Sequence, residues 1–72
     1  MITSFKVGRC RIPELCKKNG ITQVELARRL GVSSSSITDY VSLRNLPSVE
    51  KARNIAANLH CDIEELYEWE TE

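Results

Sequence analysis

The middle of the chain is punctuated by two glycines, each followed two residues later by a hydroxyl side chain: Gly20 by Thr22, and Gly31 by Ser33. Glycine takes the left-handed backbone conformation that closes a helix, and a Ser or Thr oxygen satisfies the free N–H groups that open the next. This alternation of stops and starts leaves room only for short helices. Pro13 suits the first turn of an opening helix that runs through Glu14, Leu15, Cys16, Lys17 and Lys18 and closes at Gly20. Thr22-Gln23-Val24-Glu25 has the form of a capping box, with Ile21 and Leu26 placed as a hydrophobic staple, and this second helix closes at Gly31.

Ser33 caps a third helix, with Val32 and Ile37 as a second staple and Ile37, Tyr40 and Val41 on its apolar side. The linker Leu43-Arg44-Asn45-Leu46-Pro47 follows, and Ser48 caps a fourth helix in which Val49, Ala52, Ile55, Ala56 and Leu59 form one stripe. Its end lacks a glycine, so His60 is expected in the left-handed position, at some cost in strain. Asp62 opens a predicted fifth helix, with Glu65 completing a box, Cys61 and Leu66 a staple, and Ile63, Leu66, Tyr67 and Trp69 its apolar side. Trp69 either closes the core, the preferred reading, or anchors an interface. Near the start, Phe5 and Val7 alternate with Lys6, so residues 1–9 read as a short strand or an extended arm that pairs across a dimer or follows a ligand. The expected fold is all-α: one compact five-helix domain over 1–72, with an acidic last helix and tail over 62–72.

Length and charge set outer bounds. A 72-residue chain is one domain that buries only about 60% of its unfolded surface, too little for a two-layer enzyme with a deep pocket. Hydrophobic residues at 42% and charged residues at 28% describe a globular domain rather than a disordered one. No apolar run approaches the roughly 20 residues of a membrane span, and the first residues lack a signal-peptide core. The expectation is therefore a cytoplasmic protein with no membrane partner. The net charge of zero hides a division: residues 1–61 hold all ten Lys and Arg with four acids, whereas 62–72 hold six acids and no base. Such asymmetry points either to a basic binding face or to a solvated acidic tail.

The three cysteines, Cys10, Cys16 and Cys61, form no CxxC pair, and the only histidine, His60, adjoins Cys61. Four ligands in paired short spacings are what a zinc site needs, so no metal is expected, and no cofactor is implied. Cys16 and Cys61 fall at apolar helix positions and read as small buried hydrophobes. A regulatory thiol at Cys10 is the lesser alternative.

Two helices joined by a short turn that begins at a glycine make a helix-turn-helix, here over residues 22–42. Ala27 is small where the helices approach, Gly31 makes the turn, and Val32 and Ile37 plug the angle between them. With Gly20-Ile21-Thr22-Gln23, Glu25-Leu26-Ala27 and Leu30-Gly31-Val32-Ser33, and with Ile37, Pro47-Ser48, Ile55-Ala56, Leu59 and Asp62-Ile63-Glu64-Glu65-Leu66 further on, the sequence resembles the Cro/CI-type (XRE) helix-turn-helix DNA-binding regulators over about residues 11–67. The resemblance implies a compact lambda-repressor-like domain that docks its third helix in the major groove of double-stranded DNA. Many relatives are dimeric repressors of phages, mobile elements or bacterial operons. By the same resemblance Gln23 holds a phosphate, Ser34, Ser35 and Ser36 read base edges, Thr38 and Asp39 are the next exposed positions, and Arg44 and Asn45 touch the DNA backbone. Where the family often has Glu-x-Gly after the recognition helix, this chain has Val41-Ser42-Leu43, which suggests that Val41 or Leu43 packs against something.

Physical chemistry supports part of that map. Gln23 lies one residue inside a helix start, where free N–H groups and the dipole favour a phosphate. Arg28 and Arg29 follow on the same helix and would position without reading sequence, although pairing with Glu25 on an ordinary solvated face is equally open. The reading surface is unusual, because hydroxyls make short, ambiguous contacts and Asp39 repels phosphate unless it faces a cytosine amino group. Specificity is then modest per half-site, relying on dimer spacing, water and DNA shape. A homodimer through the arm, the last helix or the linker would place two recognition helices about one DNA turn, roughly 34 Å, apart. The expected function is a sequence-specific transcriptional regulator, a repressor, acting on nucleoid DNA. A protein-binding module on the same fold, an antirepressor or an inhibitor of another regulator, is the alternative. No nucleophile–base pair suggests an enzyme.

Overall fold

A computed structural model describes residues 4–71. In chain order it has β1 (Phe5–Cys10), α1 (Ile12–Lys18), α2 (Gln23–Leu30), α3 (Ser34–Val41), α4 (Val49–Asn58), a single 3-10 turn (Ile63–Leu66) and β2 (Tyr67–Thr71). The helix starts fall where the hydroxyl residues place them. The Thr22 side chain accepts the Glu25 N–H at 3.0 Å, Ser33 the Ser36 N–H at 3.3 Å, and Ser48 the Lys51 N–H at 3.1 Å. Only half of the Thr22 box forms, because the Glu25 carboxylate turns instead to Arg28 and Arg29. Gly20 and Gly31 both sit at φ 69°, and His60 takes the same left-handed region at φ 56°.

The fold is not all-α, and the fifth helix expected over 62–72 does not form. Asp62 does start a helical turn, its N–H donating to the Glu65 carboxylate at 3.0 Å, but that turn ends at Leu66. The chain then extends as β2 and pairs antiparallel with β1, in the register Phe5↔Thr71, Lys6↔Glu70, Val7↔Trp69 and Cys10↔Tyr67. The segment read as strand or arm is thus a strand, and its partner belongs to the same chain. Residues 1–3 of that segment and Glu72 of the tail lie outside the described residues. A register irregularity lies between Val7 and Cys10, and Gly8 sits within it. A Cβ on Gly8 would stand 2.6 Å from the Glu68 carbonyl oxygen, so the strands meet this closely only without a side chain there.

Hydrophobic burial gathers all of these elements around one core. Ile12, Leu26, Ile37, Ile55, Leu59 and Leu66 are fully buried, one or more from each helix and from the 3-10 turn. Full burial of such side chains is worth about 1.5–3 kcal/mol each before entropy is counted. The Asn19 side chain ties α1 to the end of α4, donating to the carbonyls of Leu15 at 2.8 Å and Leu59 at 2.9 Å. Cys10 and Cys16 are buried and Cys61 half-buried, and removal from water pushes all three thiols up. A regulatory thiol at Cys10 is therefore disfavoured.

Two apolar assignments change. Val49 is 80% exposed, so the buried stripe of α4 begins at Ala52. Trp69 lies on β2, not in the core. It is 43% exposed, its indole N–H donates to the Glu64 carbonyl at 2.8 Å, and its ring meets Tyr67 edge-on at 5.9 Å.

Candidate nucleic-acid interface

Helices α2 and α3 form the helix-turn-helix. Gly31 turns the chain, and the Val32 N–H closes the end of α2 on the Ala27 carbonyl at 3.1 Å. Ala27 and Ile37 are buried in the angle, with Val32 and Leu30 half-covered beside them. The burial of Ile37 fixes the rotation of α3 and so decides what this helix presents outward. Ser34, Ser35 and Thr38 are exposed, and Ser36 and Asp39 are half-buried.

These side chains are not equally available. The Ser33 hydroxyl lies 2.9 Å from that of Ser35 and 3.1 Å from that of Ser36, a cluster gathered around the cap. Thr38 donates its hydroxyl proton to the Ser34 carbonyl at 3.1 Å, leaving its oxygen to accept and its methyl to make an apolar contact. Asp39 is engaged with the linker: Asn45 donates to its carboxylate at 3.4 Å, and the Arg44 guanidinium lies 3.7 Å away. The first turn of α3 thus exposes Ser34 as its least committed hydroxyl.

The positioning residues divide in the same way. Gln23 is the first residue of α2, half-buried, and makes no side-chain hydrogen bond among the described residues. Arg28 and Arg29 both hold Glu25, and these pairs keep its carboxyl below the usual carboxylate range, Arg28 contributing most. Glu25 therefore stays charged and offsets one of the two arginines. Arg44 is the most exposed of the three, at 77% of its side chain. Two features shape the turn after α3. The Ser42 hydroxyl donates to the Asp39 carbonyl at 3.2 Å, and Leu43 stands at φ 65°. Leu43 occupies the glycine position of the usual turn and keeps the glycine conformation, whereas Val41 packs on the core.

The acidic segment is held elsewhere. Arg9 forks onto Glu68 at 2.6 Å and Glu14 at 2.7 Å, and Lys6 faces Glu70 at 3.6 Å. The acids of β2 thus neutralise the bases of β1, leaving the arginines of α2 and the linker to their own nearby partners.

A helix-turn-helix family profile matches residues 13–66. The chain belongs to the XRE-type helix-turn-helix family. It is also 41% identical over 68 residues to the SPbeta prophage-derived uncharacterized HTH-type transcriptional regulator YopS of Bacillus subtilis (strain 168), a match covering 93% of this chain and 92% of that one. Membership of this family makes the protein a DNA-binding transcriptional regulator rather than an enzyme. No helix in the described part of this XRE-type domain is long and apolar enough to cross a membrane. Among its described residues no three His, Cys, Asp or Glu side chains are grouped to hold a metal ion.

Proposed function

We propose that the protein is a sequence-specific repressor of a phage, mobile-element or bacterial operon that docks α3 in the major groove and acts as a dimer on nucleoid DNA. The observation that carries this reading is the outward first turn of α3, flanked by the uncommitted Gln23 at the start of α2 and the exposed Arg44 beyond its end. Gln23, Arg28, Arg29, Arg44 and Asn45 position the domain on phosphates. Ser34, Ser35, Ser36, Thr38 and Asp39 face the bases. Ser34 and the Thr38 oxygen and methyl contribute most, because Ser35 and Ser36 gather on the cap and Asp39 holds the linker. Hydroxyl contacts discriminate weakly, so much of the specificity comes from half-site spacing and DNA shape.

Binding to random-sequence duplex DNA, measured against salt, tests this reading. Each phosphate neutralised contributes about −0.9 to the slope of log K against log salt, so Arg44 and the one α2 arginine that Glu25 does not offset set a slope near −2 per protomer. Arg44→Ala should lower the affinity and reduce the slope by about one. Replacing Ser34 and Thr38 by Ala should leave random-sequence affinity nearly unchanged and relax discrimination of the operator. No binding at low salt would contradict the reading and favour a protein partner for the same surface.

A further inference from the structure

The outward side of α3 carries hydroxyls and one carboxylate, and no lysine or arginine lies within Ser34–Val41. What such a helix reads depends on which of these groups still hold a proton to give. Thr38 holds none. Its hydroxyl proton lies on the Ser34 carbonyl at 3.1 Å, which also sets the side chain in one rotamer. The exposed Thr38 therefore presents a fixed pair of groups, the lone pairs of Oγ1 and the Cγ2 methyl beside them. Asp39, the next residue, is an acceptor as well. Protons are scarce elsewhere on this turn. The Ser33 oxygen accepts the Ser36 N–H at 3.3 Å, which leaves it one lone pair and one proton for the hydroxyls of Ser35 and Ser36, at 2.9 and 3.1 Å. One of those two hydroxyls therefore gives its proton to Ser33, and only the other and Ser34 keep one to offer.

In the major groove guanine shows only acceptors, N7 and O6, and is read by donors, chiefly Arg or Lys. Opposite Thr38 it would set oxygen against an acceptor. Cytosine and adenine each show an amino group that the Thr38 oxygen can accept from, but only an A·T pair adds a methyl group, on thymine, for the Thr38 methyl to meet. We propose that Thr38 selects an A·T pair of the operator, its Oγ1 accepting from the adenine N6 amino group while its methyl packs on the thymine methyl of the same pair. The selection rests on the docking of α3 proposed above, and adds to it which base pair is read and by which atoms.

Binding sites enriched from a random-sequence duplex pool by the whole chain supply the probe. Each thymine of the enriched site is replaced in turn by deoxyuridine, which lacks only the methyl group. Each adenine is replaced by 2-aminopurine, which still pairs with thymine but moves the amino group to the minor groove. At one and the same A·T pair wild-type binding should weaken about fourfold for the lost methyl group and about tenfold for the lost amino group. Thr38→Ser keeps the oxygen and should lose only the response to deoxyuridine. Thr38→Val keeps a methyl group and should lose only the response to 2-aminopurine. Ser34→Ala should keep both. Each response is a ratio measured within one protein, so it does not depend on the fraction of a variant that folds. Wild-type binding indifferent to both swaps at every pair, or a Thr38 variant that keeps the response assigned to its missing group, would overturn the proposal while leaving the docking of α3 in place. A pool from which no sequence is enriched even at low salt contradicts the DNA reading, and this proposal with it.

Discussion

The Asp39 carbonyl accepts the Arg44 N–H at 2.9 Å, and its carboxylate faces the Arg44 guanidinium at 3.7 Å. The same carbonyl takes the Asn45 N–H at 3.4 Å and the Ser42 hydroxyl at 3.2 Å. The acid that looks out of place on a DNA-reading helix is therefore the post to which the following linker is tied. The turn this demands places Leu43 at φ 65°, where a side chain costs about 1–2 kcal/mol that glycine would not incur.

Leu43→Gly should accordingly raise stability, by about 0.5–1 kcal/mol after the extra unfolded-state entropy of glycine is deducted. Leu43→Val, branched at Cβ, should lower it by about 1 kcal/mol or more. Urea denaturation of the two variants checks this. Equal midpoints would mean that the left-handed turn carries no strain.

The Tyr67 hydroxyl is buried with no hydrogen-bond partner among the described residues, and loss of water pushes the phenol up to about 12. A buried polar group without a partner costs about 1–3 kcal/mol. Tyr67→Phe should therefore hold or raise the melting temperature, with a gain of up to about 1 kcal/mol. Gly8→Ala acts on the same hairpin in the opposite sense. Its methyl group meets the Glu68 carbonyl oxygen, and overpacking of this kind costs about 1–3 kcal/mol. Thermal melts of both variants, followed through Trp69 emission, check the pair.

Glu14 and Glu25 are both held below their ordinary 4.5, Glu14 chiefly by its hydrogen bond to Arg9 and Glu25 chiefly by that to Arg28. A folded-state value below the unfolded one means that the stabilisation is complete above about pH 4.5 and is lost as pH falls through the folded values. Melting temperature should hold from neutral pH to about 5 and decline below 4.5. Glu25→Gln should shallow that decline, and added salt should weaken the effect because these pairs lie at the surface.

The helix-turn-helix was legible in the sequence because its boundaries are written locally. Thr22, Gly31, Ser33 and Ser48 each act within four residues of their own position, and His60 takes the left-handed turn where no glycine is present. The hairpin was not, although half of its signal is there. Tyr67-Glu68-Trp69-Glu70-Thr71 alternates in the period of a strand, and aromatic residues favour strands. Read together with Ile63 and Leu66, the same side chains also fit a helical stripe. What decides between the two is the pairing with Phe5–Cys10 at the other end of the chain, which no local pattern reports. In the candidate site the residue types were readable, but their commitments were not. The tie from Asp39 to Arg44 and the back-bonded Thr38 hydroxyl depend on side-chain directions that only the folded linker and helix define.

Backbone amide chemical shifts, followed by NMR as a duplex operator is titrated into the whole chain, test the DNA-binding geometry most directly. The largest changes are expected in the first turn of α3, at Ser34, Ser35 and Ser36, and at Gln23 and Arg44, with Phe5 and Trp69 little affected by DNA at a concentration where the oligomeric state is constant. Changes centred on the β1–β2 hairpin, with α3 unmoved, would contradict docking by the helix-turn-helix.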